Sequence, residues 1–203
     1  MQQSDSAAQV RTARRKQVYV VHGYTASPAD HWFPWLEARV ASEGVDVDVL
    51  AMPDSDRPVA AAWDAFLDAR AVRRGEDTFF VAHSLGCIAV VRHLLRTQRA
   101  DRASCGGVVL VAGFAEPVPG LPELDGFVDG VGSLEQLRET VRHRSVIASR
   151  DDEAVPHAVT HRLAERLDAE FLTVEQGGHF LGCEGFTEFP LVYAQLSAML
   201  RAA

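Results

Sequence analysis

The chain has 203 residues, 47% of them hydrophobic and 24% charged, with a formal net charge of −8 at pH 7. One domain fits this length better than two, and the acidic balance argues against nucleic acid or an anionic membrane as the main partner, since both need a basic face. No stretch approaches the roughly 18 apolar residues of a membrane span, and Met1 to Lys16 lacks the apolar centre of a signal peptide.

The basic cluster Arg11, Arg14, Arg15 and Lys16 opens the chain inside a polar segment. It reads as a solvated tail over 1–16 leading into a single domain over 17–203. Cys87, Cys105 and Cys183 form an odd set without C-x-x-C spacing, so neither a disulfide framework nor a cysteine zinc site is suggested. Buried small side chains in a reducing, cytoplasmic setting are the expectation.

In chain order, apolar runs rich in β-branched or aromatic residues predict strands at 17–21, 45–50, 78–82, 107–112, 145–149 and 170–174. Amphipathic stretches predict helices near 32–43, 58–74, 84–97, 133–142, 156–168 and 187–201, with Pro156 in a first helical turn. Strands alternating with helices define the α/β class, with about six mostly parallel strands and helices on both faces. The irregular piece FAEPVPGLPELDGFVDGVGS, residues 114–133, follows a strand directly and can wall a pocket, but it is too short for a separate lid domain.

Ligands of an open α/β sheet sit beyond the carboxyl ends of the strands. There the sequence carries HGYTAS (22–27), AHSLG (82–86), SRDDEAVP (149–156) and EQGGHF (175–180). AHSLG approximates the nucleophile elbow G-x-S-x-G, with Ala82 replacing the first glycine. Alone it fits a helix N-cap as well as a nucleophile.

A nucleophilic serine needs a base, and the base needs an acid that fixes its tautomer. His83, next to Ser84 in one tight turn, points away from the hydroxyl. An acid after a later strand and a histidine after the last one supply the order Ser…Asp…His: Asp152 and His179. The D-x-x-V-P spacing favours Asp152, leaving Asp151 as a solvated or loop-capping carboxylate, and whether Asp151 could substitute stays open. The amide of Leu85, at its helix start, and that of Tyr24, with Thr25 the weaker choice, are the expected oxyanion donors. Gly23 would let the Tyr24 backbone approach, and the Tyr24 ring could line the pocket.

Other candidates carry less. His157 and His161 share a helix face, but there is no H-E-x-x-H glutamate and no evident third ligand, so surface positions are expected rather than a metal site. Trp32, Phe33 and Trp35 read as core or helix packing, with an apolar acyl pocket as the alternative. His31, His93 and His143 belong to no constellation.

On VYVVHGYTASPADHWFPWL, VAHSLGC, VLVAGFA, VIASRDDEAVP and GGHFLGCEGF, the chain from about Gln17 onward resembles the small serine hydrolases of the α/β-hydrolase superfamily typified by YdeN and retinoblastoma-binding protein 9, the YdeN branch most of all. The resemblance implies a compact, essentially lidless α/β-hydrolase fold with Ser84 as nucleophile, Asp152 as acid and His179 as base. It implies no pocket-protein partner, because LGCEG at 181–185 has Gly185 where an L-x-C-x-E motif ends in glutamate. The expectation is a serine hydrolase cleaving small carboxylic esters without metal or organic cofactor. Its rivals are amide, aminoacyl or thioester cleavage by the same residues, and a binding protein on a hydrolase scaffold.

Overall fold

The computed structural model describes residues 15–101 and 103–203. Arg11, Arg14 and the rest of the segment 1–14 lie outside the described residues. Of the segment read as a solvated tail, Arg15 is exposed and pairs with Asp46 at 3.2 Å, and the Lys16 ammonium donates to the carbonyls of Leu200 and Ala203.

Six strands form one sheet: β1 (Gln17–Val21), β2 (Asp46–Leu50), β3 (Gly75–His83), β4 (Cys105–Val111), β5 (Val141–Ser149) and β6 (Glu170–Val174), in the order β2-β1-β3-β4-β5-β6. All five pairings are parallel. Every residue of β1 is buried, as a strand covered on both faces requires. The edge strand β2, DVDVL, alternates polar and apolar residues and is half-buried as far as Leu50, and its Asp46 and Asp48 carry the ion pairs to Arg73 and Arg70.

Side-chain alternation splits the core in two. Val18, Val20, Phe79, Val81, Val109 and Val111 face α1 (Phe33–Ala41) and α7 (Pro190–Ala202), which contribute Phe33, Leu36 and Val40, and Val192 and Leu196. Tyr19, Val21, Phe80, Ala82, Val108 and Leu110 face the opposite way, toward α2 (Ala60–Arg70), α3 (Leu85–Asp101) and α6 (His157–Leu167). The segment between β4 and β5 folds onto this second face. It carries two short helices, α4 (Asp125–Val128) and α5 (Leu137–Thr140), and buries Val118, Leu124, Phe127, Leu134 and Leu137, so it is part of the core and not a lid domain.

Among the boundaries that differ from the sequence expectation, four have clear local reasons. The helix expected over 58–74 stops at Arg70, because the Arg73 amide donates to the Tyr19 hydroxyl and its guanidinium reaches Gln17 and Asp46. The helix expected over 133–142 is two short turns, since Val141 is already strand, opposite Cys105. Pro156 precedes α6 with ψ at 136°, outside the helical region, instead of occupying its first turn. The last helix starts at Pro190 because the residue before a proline is driven out of the helical region, and Phe189 has ψ at 80°.

The strand order reverses direction between β1 and β3, so their carboxyl ends open the crevice in which ligands of such sheets bind.

Candidate active site

The turn between β3 and α3 is possible only for small flanking residues. A Cβ at Gly86 would lie 2.4 Å from the Val21 carbonyl oxygen and 2.6 Å from that of His22, and one at Gly23 would lie 2.9 Å from Ser84 Cβ. Ala82, two residues before the serine, is fully buried and packs its methyl group into the core on the α3 side of the sheet. Ser84 itself has φ at +52°, a left-handed conformation that costs a non-glycine residue about 1–3 kcal/mol. Its amide donates to the Val111 carbonyl at 2.9 Å, locking the turn onto β4.

That conformation overturns the helix-cap reading of Ser84. A capping serine has extended backbone and turns its oxygen toward the amides of its own helix. Ser84 has positive φ, and its hydroxyl donates instead to His179 Nε2 at 2.9 Å.

His179 Nδ1 donates to Asp152 Oδ2 at 2.8 Å. The other carboxylate oxygen, Oδ1, accepts the amides of Ala154 and Val155, both at 2.9 Å, so Asp152 is fixed by the start of the segment leading into α6. The Asp152 side chain is 1% exposed and that of His179 13%. Because Nδ1 carries the proton, Nε2 is free to accept one from Ser84. Chains of this kind transfer a serine proton to an imidazole whose charge a buried carboxylate then balances.

Asp151 does not reach the His179 ring. Its Oδ1 accepts the Ser149 hydroxyl at 2.5 Å and the amides of Gly177 and Gly178 at 2.9 Å each. These donors, the Ser149 hydroxyl foremost, draw its carboxyl down to about 2. The carboxylate is exposed and caps the loop that carries His179, so the tandem aspartates divide their contacts.

His83 is buried and belongs to that loop's other side. Its Nε2–H donates to the His179 carbonyl at 2.8 Å, and the two rings lie 4.9 Å apart. Burial, then the neighbouring His179, pushes its imidazole well below the usual range, so it stays neutral. His22 braces the β1 turn: it donates from Nδ1 to the Gly23 carbonyl at 2.9 Å and accepts the Met52 amide at Nε2 at 3.0 Å, with burial again holding it neutral.

The two expected oxyanion donors flank this serine. Leu85 is the first residue of α3, so its amide has no carbonyl one turn earlier to bond. The Thr25 amide is committed to the Ser55 carbonyl at 2.9 Å, which leaves Tyr24 as the stronger choice in the β1 turn. Among the described residues, four of the seven non-glycine residues with positive φ, Thr25, His31, Ser84 and Phe180, belong to the loops around this site.

Ser84 opens into a cavity of about 330 Å³ whose apolar walls are Tyr24, Ala26, Leu121, Leu124, Ala154 and Leu181. The segment 114–133 thus contributes Leu121 and Leu124, as a pocket wall after a strand would. Trp32 and Phe33 are fully buried in the core, Trp32 against Phe189 at 5.7 Å, and do not line the cavity; Trp35 packs on Tyr193. A second hollow, of about 400 Å³, lies at the opposite end of the sheet, beside Arg142, His143, Glu170 and Gln195, away from the serine.

Asp30, which the sequence did not single out, also lines the cavity, and so does His31, which was assigned to no constellation but belongs to this one. Asp30 accepts the Ser27 hydroxyl and amide at 2.7 Å each, and His31 Nδ1 accepts the Gly182 amide at 3.0 Å. The only local signal is S-x-x-D at 27–30, a capping pattern without chemistry of its own. His157 and His161 sit beside Phe171, with His157 Nε2 3.0 Å from the Thr173 hydroxyl. Among the described residues no group of three His, Cys, Asp or Glu side chains could hold a metal ion, and no helix is long and apolar enough to cross a membrane.

A serine held in a strained turn after the third strand of a parallel sheet, hydrogen-bonded to a histidine after the last, makes the molecule a hydrolase of the α/β superfamily. The chain belongs to the Serine hydrolase family, whose model matches residues 18–198. It is 44% identical to YdeN of Bacillus subtilis (strain 168) over 183 residues, covering 90% of this chain and 95% of that one. The crystal structure of the ydeN gene product superposes with a TM-score of 0.87 at 43% identity, covering 92% of this chain and 99% of that one. Serine hydrolase RBBP9 of Rattus norvegicus is 24% identical over 174 residues, 85% of this chain and 88% of that one.

Proposed function

We propose that the protein is a carboxylesterase that cleaves small esters through an acyl-enzyme on Ser84. The observation that carries this reading is the continuous hydrogen-bonded chain Ser84–His179–Asp152, at 2.9 and 2.8 Å, opening into an apolar cavity. Ser84 Oγ attacks the ester carbonyl as His179 Nε2 takes its proton, and Asp152 balances the imidazolium. The amides of Leu85 and Tyr24 receive the developing oxyanion. His179 then protonates the leaving alkoxide, which departs as the alcohol, and in the second half activates water to release the acid and regenerate Ser84.

A cavity of about 330 Å³ suits a short acyl or aryl group. The test is hydrolysis of p-nitrophenyl esters from acetyl to decanoyl by wild type and Ser84→Ala. Wild type should turn over the short members and the variant none, whereas equal rates in both would refute the assignment. A scaffold acting only as a binder would refuse a fluorophosphonate probe.

One observation favours a second reading, cleavage of aminoacyl esters or amides: Asp30 lines the same cavity. Its Ser27 contacts lower its carboxyl below the usual range, favouring the anion that an ammonium group would meet. Matched esters, thioesters and amides with and without an α-amino group separate these cases. Cys87 and Cys105 are buried free thiols, whereas Cys183, expected to be buried, is exposed; a free exposed thiol suits the proposed reducing, cytoplasmic setting.

A further inference from the structure

We infer that Asp151 is a positioning residue for the base, its carboxylate clasping the loop after β6 so that His179 stays in line with Ser84. This rests on the reading that His179 is the base for Ser84.

The contacts argue for a clasp and not for incidental solvation. Asp151 Oδ1 gathers the Ser149 hydroxyl and the amides of Gly177 and Gly178. The Ser149 oxygen in turn accepts the Gly177 amide at 2.8 Å, joining the end of β5 to the loop twice. Gly177 and Gly178 are the two residues immediately before His179, and Gly178 has φ at +52°. Two adjacent glycines are the most freely rotating backbone a chain can offer. Two amides bonded to one ionised oxygen remove that freedom where the imidazole is hung.

The remaining supports of His179 act elsewhere. Asp152 holds the ring at Nδ1, His83 holds the carbonyl after it, and the Phe180 amide closes back on the Gly177 carbonyl at 2.9 Å. The clasp fixes the approach to His179 from the amino side, where it holds both glycine amides and the Ser149 oxygen shares that of Gly177. Without it the loop keeps its fold, but the ring samples positions off the Ser84 line. A misplacement of about 1 Å at a reacting group lowers rate by roughly a hundredfold while leaving substrate binding intact. Asp151 is exposed, so its loss opens no cavity. Its carboxyl titrates at about 2, so the clasp holds throughout the range in which an imidazole base works.

The neutral isostere separates the clasp from the charge. In Asp151→Asn the amide oxygen still accepts all three donors, whereas Asp151→Ala accepts none. The experiment measures kcat and KM on a short-chain p-nitrophenyl ester and amide hydrogen exchange across residues 175–181, with Ser84→Ala as control. Asp151→Ala should lose about 10- to 100-fold in kcat with KM within about twofold, and exchange faster in that segment alone. Asp151→Asn should stay within about threefold of wild type in kcat. Three results each overturn the proposal: an Asp151→Ala kcat within threefold of wild type, a rate loss with unchanged exchange, or equal damage in both variants. If instead Ser84→Ala retains the activity, the esterase reading fails, and faster exchange in Asp151→Ala still reports the clasp on its own.

Discussion

Replacing Asp152 by asparagine changes one atom and should silence the enzyme through a tautomer. Asp152 accepts three hydrogen bonds: His179 Nδ1–H on Oδ2, and the amides of Ala154 and Val155 on Oδ1. An asparagine must turn its NH₂ toward one side. Facing it toward Ala154 and Val155 forfeits two buried bonds, at about 1–3 kcal/mol each, whereas facing it toward His179 forfeits none once the imidazole changes tautomer. The second orientation wins. The amide then donates to Nδ1, the imidazole proton moves to Nε2, and Ser84 meets a donor where its base should be. A loss of about 10⁴ in kcat follows, equivalent to roughly 5.5 kcal/mol of transition-state stabilisation. The fold is spared because both backbone amides keep an acceptor, so Tm should move by only a few degrees. Saturation kinetics on a short-chain p-nitrophenyl ester, paired with calorimetry, provide the assay. A kcat within tenfold of wild type, at unchanged Tm, would refute the reasoning.

Gly86→Ala forces a Cβ to 2.4 Å from a backbone oxygen of β1, which cannot yield without parting α3 from the sheet. It should destabilise by about 3 kcal/mol and lower Tm by roughly 6–12 °C; a shift under 2 °C contradicts the close approach. Leu124→Ala widens the cavity by about three carbons and should raise the hexanoyl-to-butanoyl preference roughly tenfold, at about 0.8 kcal/mol per methylene; unchanged preference removes Leu124 from the acyl wall. Stability should fall as pH drops below about 6.5, where unfolded histidines take up protons while His22, His31, His83 and His93 stay neutral in the fold. Each contributes up to about 1.4 kcal/mol per pH unit between its unfolded and its lowered folded pKa, and His83→Gln should flatten that slope by one proton. An unchanged slope in urea titrations between pH 4.5 and 7 would contradict it.

The parts of this molecule legible in the sequence are those written in local pattern. QVYVV and EFLTV became strands with the expected bounds because each is an apolar run stopped by polar or glycine-rich neighbours. Ser84, Asp152 and His179 stood out because each follows a strand, and strand ends converge in a parallel sheet. Val141 to Arg144 was hidden because its β-pairing with Cys105 and its neighbours outweighs the helical look of LEQLRETVR. Asp151 was legible as a loop-capping carboxylate, but the work of His83 and His31 was hidden: each bonds a backbone group of the loop after β6, 96 and 151 residues away in sequence, and no spacing rule encodes that. Trp32 and Phe33 were legible as core packing, and both are fully buried; the alternative acyl pocket could be dismissed only once the lie of α1 on the sheet was known.

The most direct test of the account is where a fluorophosphonate probe attaches. Wild-type protein should gain one adduct mass, mapped by peptide sequencing to Ser84 within VAHSLGC, and Ser84→Ala should gain none. An adduct on any other residue, or an unlabelled wild type, would contradict the claim that Ser84 is the nucleophile.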